Sequence, residues 1–259
     1  MGVSHVVMEL LREGARELGL VLDPQHLATF ERYYRELETW NQRLNLTAVT
    51  GYVEVQQKHF LDSLTCLLAL PQPQGKATIP DTMPLQHPAS AMRVVDVGSG
   101  AGFPGIPIKI MLPECKLTLI EATGKKVTFL QHMVDTLELG GVEVLNGRAE
   151  DIAHLPEHRE QYDLVVARAV ARLAVLAEYC LPLCRPGGRM VALKGRDADQ
   201  EAQEATHAIA LLGGATAHIK PVLLPGVWSE HYLVVVDKAA RSPEAYPRRA
   251  GMPSKKPLH

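Results

Sequence analysis

A glycine-rich loop is the part of this sequence whose residue types and spacing best suit chemistry. The segment Val94-Val-Asp-Val-Gly-Ser-Gly-Ala-Gly-Phe-Pro-Gly105 has the pattern of a strand, a loop and the start of a helix. Glycines let a backbone turn tightly and approach a ligand that any Cβ would push away. Ligands of open α/β sheets lie beyond the carboxyl ends of the strands, so this loop predicts a cofactor-binding site.

Two classes of cofactor fit this loop. The run from Gly100 to Gly105 matches the dinucleotide pattern G-x-G-x-x-G, but the match starts two residues late for a loop that directly follows its strand. Counted from the strand end at Asp96, the pattern is the Asp-x-Gly-x-Gly-x-Gly of S-adenosylmethionine (AdoMet) methyltransferases. Glu121 ends the next strand, where it could accept hydrogen bonds from ribose hydroxyls. The acidic turn 148–151 follows the third strand, where an adenine amino group could bind.

The end of the fourth predicted strand limits the chemistry of the methyl acceptor. It reads Tyr162-Asp-Leu-Val-Val-Ala-Arg168 and contains neither an Asn/Asp-Pro-Pro-aromatic motif nor a Pro-Cys pair. Methylation of an exocyclic amine and of a pyrimidine carbon are therefore disfavoured. Guanine N7 carries a lone pair and no proton, so its methylation needs no general base and depends on positioning.

Two other groups of residues have simpler interpretations. Cys180 and Cys184 lie one turn apart on an apolar helix, which indicates core packing. His154-Leu-Pro-Glu-His158 matches a zinc signature, but Pro156 would interrupt the helix needed to present both histidines. We therefore expect no metal.

Alternating strands and helices must position the glycine loop. Residues 1–70 have helical periodicity, with Asp23-Pro24 as a helix start, and 71–90 form a proline-rich linker. Five buried strands then alternate with helices near 104–112, 125–139, 170–184 and 198–213, and two further strands follow. The pattern predicts an α/β fold: a doubly wound, mostly parallel seven-stranded sheet with a helical N-terminal extension. We predict an extension over 1–90, a cofactor domain over 91–238 and a basic tail over 239–259.

Composition limits the class of protein. The chain has 259 residues, 46% of them hydrophobic, and a formal net charge of −2. These values suit one or two globular domains and exclude wholesale disorder. No apolar stretch approaches the roughly 18 residues of a membrane span, secretory-signal features are absent, and four scattered cysteines do not suit a disulfide scaffold. We expect a cytoplasmic monomer with no membrane partner.

The net charge of the chain is close to zero, but acidic and basic residues are segregated along the sequence. Residues 238–259 carry six basic residues and one acid, whereas the rest of the chain carries 21 bases and 28 acids. The stretch 163–196 is also basic. Segregated basic charge is typical of proteins that bind phosphate backbones, although a solvated tail and a charged helix face would give the same pattern. We predict a basic rim at the cofactor mouth, formed by the bases from Arg168 to Arg196, with acids on other faces.

Several segments beyond the glycine loop carry a family resemblance. They are Trp40-Asn-Gln-Arg-Leu-Asn-Leu-Thr47, His59-Phe-Leu-Asp-Ser-Leu64, Glu121 with Lys125-Lys126, Gly147-Arg-Ala-Glu150, Arg168-Ala-Val170, Gly187-Gly, Lys194-Gly and Tyr246-Pro-Arg-Arg-Ala-Gly251. Over nearly its whole length the chain resembles the bacterial small-subunit (16S) ribosomal RNA guanine-N7 methyltransferases, also called the glucose-inhibited division protein B family. The resemblance implies a class I, Rossmann-like AdoMet methyltransferase, with S-adenosylhomocysteine as product. Segment 71–90 is the main departure.

The resemblance also implies roles for individual residues. AdoMet would contact Gly98, Gly100 and Phe103, and Glu121 would hold the ribose with Ala122 and Thr123 beside it. Ala149 and Glu150 would flank the adenine, and Arg168 would lie at the methionine end or at the transfer mouth. No residue is assigned to catalysis itself, and Arg168 and Arg172 are the candidates nearest the transfer site.

Polar residues of the resembling segments and of the basic stretches are candidates for RNA contact. They are Asn45, His59, Lys125, Arg148, Arg172, Lys194, Arg196 and Arg248. Simpler alternatives are a helix cap for Asn45, a packed ring for His59 and a solvated helix start for Lys125.

The leading hypothesis is AdoMet-dependent methylation of guanosine N7 in small-subunit ribosomal RNA, with the RNA or the subunit as partner. Three alternatives stay open at this point. They are a methyltransferase acting on a small molecule or protein, a non-catalytic ribosome-assembly module that retains AdoMet, and a dehydrogenase.

Overall fold

A seven-stranded sheet forms the centre of the described part of the chain. The computed structural model describes residues 8–70, 92–227 and 230–258, so the predicted linker 71–90 lies outside the described residues. The strand order is β3-β2-β1-β4-β5-β7-β6. The first five strands in this order are parallel, and β7 runs antiparallel to both neighbours. The strands are β1 Arg93–Val97, β2 Lys116–Glu121, β3 Val142–Asn146, β4 Tyr162–Arg168, β5 Cys184–Lys194, β6 His218–Val222 and β7 His231–Asp237. The predicted sheet is confirmed.

Helices cover both faces of this sheet. They are α1 Glu9–Glu17, α2 Pro24–Leu44, α3 Tyr52–Val55, α4 Asp62–Leu64, α5 Gly105–Met111, α6 Gly124–Thr136, α7 Ala149–Ile152, α8 Leu173–Cys180, α9 Ala198–Glu204, α10 Thr206–Leu211 and α11 Met252–Lys255. A π-helical turn, Gln56–Leu61, joins α3 to α4, and a 3₁₀ turn, Thr65–Ala69, follows. No helix in the described ranges is both long and apolar enough to cross a bilayer.

Two predicted helices differ from the observed ones. The helix expected over 170–184 is α8 alone and ends at Cys180, because Pro182 cannot continue a helix. The chain therefore enters β5 at Cys184, five residues before the predicted strand start. The helix expected over 198–213 consists of two pieces, α9 and α10, which meet at Ala205.

The longest helix, α2, begins where the sequence predicts. The Asp23 carboxylate accepts a hydrogen bond from the His26 N–H at 2.8 Å, and the His26 ring accepts one from the Asp23 N–H. This reciprocal cap satisfies two backbone donors that the first turn leaves without partners. The buried face of α2 carries Phe30, Tyr33 and Leu37 among others, and this apolar stripe orients the helix toward the sheet.

The N-terminal helices share a core with one face of the sheet. Phe30 and Phe60, both fully buried, belong to the same apolar cluster as Ile106 of α5 and Leu119 of β2. The second cluster lies on the other face and contains Cys180 and Cys184 with apolar residues of α8 and α10, so the predicted core role of both cysteines is confirmed. Burial of apolar surface contributes about 25 cal/mol for each Å² removed from water, and this stabilises the packing of the helices against the strands.

The segment after β7 folds back onto α8. Lys238 is 2% exposed, and its ammonium donates to Leu181 O, Leu212 O and Ser242 Oγ at 2.5–2.8 Å. Burial lowers the pKa of this lysine to about 8. Further along, Tyr179 and Ser254 share a hydroxyl hydrogen bond of 2.7 Å. Part of the basic tail is therefore structural.

Candidate active site

The glycine loop leaves the carboxyl end of β1 in a conformation that requires glycine. The φ angles of Gly98 and Gly100 are +72° and +59°, in the left-handed region. The N–H groups of Gly98 and Ser99 donate to Ile120 O, which ties the loop to the end of β2. A Cβ on Gly98 would lie 2.7 Å from Val170 Cγ2, whereas one on Gly100 would have no neighbour closer than Gly98 O, at 3.9 Å. The backbone at Gly100 is therefore open to a ligand.

Glu121 at the end of β2 presents a carboxylate to the same loop. One oxygen accepts from the Gly100 N–H at 3.0 Å, and the other accepts from the Thr123 N–H at 2.8 Å. The residue is 6% exposed. A carboxylate has about four lone-pair sites, so these two bonds hold Glu121 in place and leave it able to accept from two further donors. A pair of ribose hydroxyls has the matching chemistry.

Asp96 of β1 places a buried carboxyl group below the loop. Its Oδ2 accepts from the Gly105 N–H at 2.8 Å, and its Oδ1 is buried with no partner among the described residues. Burial raises the pKa of Asp96 to about 7. A buried polar atom without a partner is costly, and a cationic ligand at the loop would relieve that cost. AdoMet carries two positive charges, so the site fits this cofactor.

The edge beside β3 carries the residues predicted to flank the adenine. Ala149 and Glu150 begin α7 and are both buried, and the loop before them is tied to β2 because the Gly147 N–H donates to Glu121 O at 3.1 Å. The Glu150 carboxylate accepts from the Gly251 N–H at 2.9 Å. The C-terminal segment therefore holds the start of α7 in place.

Arg168 lies on the other side of the loop, at the end of β4. Its Nη1 donates to Lys58 O and to Asp62 Oδ2, both at 3.1 Å, and its Nη2 lies 3.3 Å from His59 Nδ1. The guanidinium also lies 4.9 Å from the centroid of the Phe103 ring. The turn that contains His59 therefore reaches the cofactor loop.

Phe103 is enclosed by residues from the N-terminal helices. Its ring centroid lies 5.2 Å from that of Tyr33 and 4.6 Å from that of His59, and Tyr33 also donates a 2.5 Å hydrogen bond to Ala101 O. Burial, with Arg168 nearby, lowers the pKa of His59 to about 4. His59, a predicted RNA contact, is thus a packed and neutral ring next to the cofactor loop.

This chain matches known proteins over nearly its full length. The family described as rRNA small subunit methyltransferase G (GidB) matches residues 26–225. The chain belongs to this family. Ribosomal RNA small subunit methyltransferase G of Roseiflexus sp. (strain RS-1) is 48% identical over 252 residues, covering 97% of this chain and 100% of that protein. The protein of the same name from Pelotomaculum thermopropionicum is 46% identical over 98% of this chain and 99% of its own length.

The chain also aligns in part with solved structures. A predicted O-methyltransferase from Agrobacterium tumefaciens aligns with a TM-score of 0.48 and 20% identity, over 60% of this chain and 80% of its own.

In this chain, two of the predicted RNA contacts bind other protein groups. Lys194 is largely buried, and its ammonium donates to Ala171 O and Glu201 at 2.6 and 2.7 Å. The Arg248 guanidinium makes a bidentate pair with Glu178, with distances of 2.9 and 2.7 Å. Glu178 is fully buried, so it requires this partner. Neither base is a free cation for RNA.

The other candidates lie at the surface. Lys125, Arg148 and Arg196 are exposed and make no ion pair with any described residue. Arg172 is 63% exposed and pairs with Glu204 at 2.5 Å. Asn45 ends α2 in the left-handed conformation, with φ of 49°, and is therefore a cap at the carboxyl end of that helix.

The predicted basic rim is only partly correct. Arg168, Arg172, Lys194 and Arg196 lie at or just beyond the carboxyl ends of β4 and β5. Arg185 and Arg189 lie in the first half of β5, toward the opposite edge, where they pair with Asp163 and Asp237. The reason is topological, because β5 runs parallel to β4 and its early residues lie far from the glycine loop.

The two histidines of the zinc-like signature have other partners. His154 Nε2 lies 2.7 Å from Pro247 O, and His158 Nδ1 lies 2.6 Å from Tyr162 Oη. They follow α7 in turns and do not share a helix face. Among the described residues, no group of three His, Cys, Asp or Glu side chains is placed to bind a metal.

Sequence reasoning missed several residues that shape the site. Asp62 and Tyr33 hold Arg168 and the loop from the N-terminal helices, and Glu178 holds Arg248. The available signal was a carboxylate inside an apolar helical run, at Asp62 and at Glu178. Such a residue is rarely buried without a partner.

Proposed function

We propose that this chain transfers a methyl group from AdoMet to N7 of a guanosine in small-subunit (16S) ribosomal RNA. The observation that supports methyl transfer from AdoMet is the geometry of the glycine loop, in which the Gly100 N–H donates a hydrogen bond to the Glu121 carboxylate. Membership of the methyltransferase G family, with relatives 46–48% identical over nearly the whole chain, supports the substrate.

In this proposal the cofactor lies across the carboxyl ends of β3, β2, β1 and β4. Glu121 accepts from the ribose hydroxyls, with Ala122 and Thr123 beside it. Gly98, Gly100 and Phe103 form the floor, and this set is supported by the absence of any neighbour closer than 3.9 Å to a Cβ built on Gly100. Ala149 and Glu150 flank the adenine, and Arg168 lies at the methionine end. Asp96, whose Oδ1 is buried without a partner among the described residues, would be compensated by the positive charge of bound AdoMet.

The chemistry requires little from the protein beyond position. AdoMet, when bound, supplies a methyl group on a sulfonium centre. Guanine N7 offers an unprotonated lone pair, so no side chain has to remove a proton. The residues of this chain orient the two reactants, and the gain from such positioning can reach about 7–11 kcal/mol of barrier. The neutral His59 and the buried Phe103 pack beside the glycine loop and supply no acid–base chemistry.

Exposed bases around the carboxyl edge would bind the RNA. Lys125 and Arg148 lie beyond the ends of β2 and β3, and Arg172 and Arg196 lie beyond β4 and β5. Lys125 lies in the first turn of α6, where a positive charge opposes the helix dipole. A phosphate bound there would compensate both the charge of Lys125 and the partial positive charge at the start of the helix. Lys194 and Arg248 are left out of this set because their ion pairs are shielded, with side-chain exposures of 11% and 25%, whereas Arg172 is paired but 63% exposed.

Methyl mapping tests the proposal. AdoMet labelled in its methyl group is incubated with the protein and with unmethylated small subunits or naked 16S RNA, and nucleosides are then analysed. We expect labelled 7-methylguanosine in at least one substrate. Label on another atom or molecule would overturn the reaction. AdoMet binding without transfer to any ribosomal substrate would favour an assembly module.

A further inference from the structure

Arg168 is held by a single turn of the N-terminal helices. Its three hydrogen-bond acceptors are Lys58 O, Asp62 Oδ2 and the His59 ring, more than 100 residues earlier in the chain. The ion pair with Asp62 is well shielded, with side-chain exposures of 16% for the arginine and 9% for the aspartate. Asp62 Oδ1 also lies 3.2 Å from His231 Nδ1 at the start of β7. The carboxylate is thus fixed from two directions.

His59 Nδ1 lies near both Arg168 Nη2, at 3.3 Å, and Lys58 O, at 3.1 Å, and these contacts suit opposite tautomers. A guanidinium can only donate, so the contact with Arg168 requires an unprotonated Nδ1 that accepts, and we assign this tautomer to His59. The ring proton is then on Nε2, which lies 2.8 Å from Thr47 Oγ1 and donates to it. In the other tautomer, Nδ1–H would donate to Lys58 O, 3.1 Å away, and would have no lone pair for Arg168.

These bonds use three of the five guanidinium donors of Arg168. The Nε–H and one Nη2–H have no acceptor among the described residues. The contrast with Arg248 is informative, because that side chain uses both Nε and Nη2 on the carboxylate of Glu178. The planar arginine fork suits bidentate binding of a carboxylate or phosphate. Arg168 is therefore anchored while keeping donors for an external anion.

We propose that Asp62 and His59 are positioning residues that fix the guanidinium of Arg168 for the carboxylate of the methionine part of AdoMet. The inference rests on the proposed function for the identity of the ligand. It assigns the N-terminal helices a direct part in cofactor binding, and it moves His59 from the RNA contacts to the support of Arg168.

Binding of AdoMet and of S-adenosylhomocysteine, measured by calorimetry without RNA, tests the proposal. Asp62→Asn removes the charge and keeps the shape, and we expect the Kd to rise about tenfold, because Arg168 loses the charged acceptor that fixes its guanidinium. Glu54→Gln is the matched control. It removes an exposed carboxylate of the same helical segment, paired only with the Lys58 ammonium at 2.7 Å, and we expect an unchanged Kd.

Two variants of His59 separate its hydrogen bond from its ring. His59→Asn keeps an acceptor near the position of Nδ1, whereas His59→Phe keeps ring packing on Phe103 and removes the acceptor. We expect His59→Phe to raise the Kd about tenfold and His59→Asn to stay within about threefold of the wild type. The reverse order would overturn the positioning role of His59.

A double-mutant cycle shows whether Asp62 acts through Arg168. In an Arg168→Ala background, Asp62→Asn should change the Kd no further, because coupled residues are non-additive. Independent, additive losses in variants with native circular dichroism would overturn the proposal. An effect confined to the KM for RNA, with the AdoMet Kd unchanged, would overturn the assignment of the ligand.

The tautomer of His59 in the wild-type protein provides a test that does not depend on ligand affinity. Nitrogen-15 NMR of the imidazole ring, assigned by the loss of its signals in His59→Phe, should show protonated Nε2 and unprotonated Nδ1 at neutral pH. A ring protonated at Nδ1 would overturn the proposal. If the wild-type protein binds no AdoMet, the proposed function fails, whereas wild-type binding that is insensitive to Asp62 and His59 overturns only the positioning role.

Discussion

The two sides of the proposed cofactor groove are each fixed by an arginine–carboxylate pair between distant segments, and the pairs differ in what they leave free. Beside β4, Arg168 pairs with Asp62, 106 residues away, and keeps two donors without a protein partner in the described ranges. Beside α7, Arg248 pairs with Glu178, 70 residues away, through its bidentate edge. The first arrangement suits ligand binding and the second suits stability.

The burial of the carboxylates explains the difference. Glu178 is enclosed within α8 with an exposed side-chain fraction of 1%, so its charge needs a complete set of donors from Arg248 and from the Arg248 N–H. Asp62 divides its oxygens between Arg168 and His231. The same type of ion pair can therefore stabilise one side of a groove and position a ligand-binding arginine on the other.

The largest expected effect is on folding. Arg248→Ala leaves the buried Glu178 carboxylate without its charged partner, and breaking such a pair costs about 3–5 kcal/mol. We expect urea denaturation to show this loss in the free energy of unfolding, with kcat nearly unchanged at a temperature where the variant is folded. Adding Glu178→Gln should restore much of the stability. If Arg248→Ala has wild-type stability but binds AdoMet weakly, the assignment of the Arg248–Glu178 pair to stability is wrong.

The second prediction concerns the open pair. Arg168→Ala should weaken AdoMet binding by about 30- to 150-fold, since it removes charged hydrogen bonds that contribute about 2–3 kcal/mol. Arg168→Lys keeps the charge but not the planar fork, so it should recover little. Calorimetry gives the Kd, and thermal unfolding shows how much stability is lost. Wild-type affinity in Arg168→Lys would show that charge alone matters.

A third buried carboxylate, Asp96, lies on β1 between the two sides and titrates near neutral pH. Its pKa is raised to about 7, so it holds a proton below that pH in the free protein. The positive charge of AdoMet should lower this pKa, and binding should release a proton. Affinity should then rise as the pH rises toward about 7, by at most tenfold for each pH unit, and level off above.

Calorimetry in buffers of different ionisation enthalpy measures the released proton. Asp96→Asn keeps an acceptor and removes the titration, so its weaker binding should not depend on pH in this window. In the absence of ligand, the raised pKa has the opposite effect on folding, because the folded state binds the proton more tightly. Its contribution to stability should be lost as pH rises from about 4 through about 7.

The sequence predicts the sheet well because a strand that is buried on both faces is apolar within its own few residues. Runs such as Val94–Val97 and Leu164–Ala167 are apolar throughout, apart from Asp96, as expected of strands covered on both faces. Whether an individual charged side chain is paired or exposed depends on residues that lie far away in the sequence. Lys194, Arg248 and Arg196 look alike in sequence, yet the first two are paired and the third is exposed. The partner of Arg248 lies 70 residues away and is brought to it only by the topology.

The smallest expected effects belong to the exposed bases, and they test which side of the mouth binds the RNA. Lys125 and Arg148 lie beside the β2 and β3 ends, and Arg196 lies beside the β5 end. Removing one phosphate-binding base should reduce the slope of log affinity for single-stranded RNA against log salt by about 0.7. We expect Lys125→Gln with Arg148→Gln, and separately Arg196→Gln, to weaken RNA binding severalfold with the AdoMet Kd unchanged.

Lys116 is the matched control for these variants, because it is an exposed base at the start of β2, on the opposite edge of the sheet. Lys116→Gln changes the net charge as much as Arg196→Gln does, so a general electrostatic effect would appear in both. Filter binding to 16S RNA over a range of salt concentrations distinguishes the two cases. If Lys116→Gln reduces the salt slope as much as the edge variants do, the RNA is not bound preferentially at the carboxyl edge.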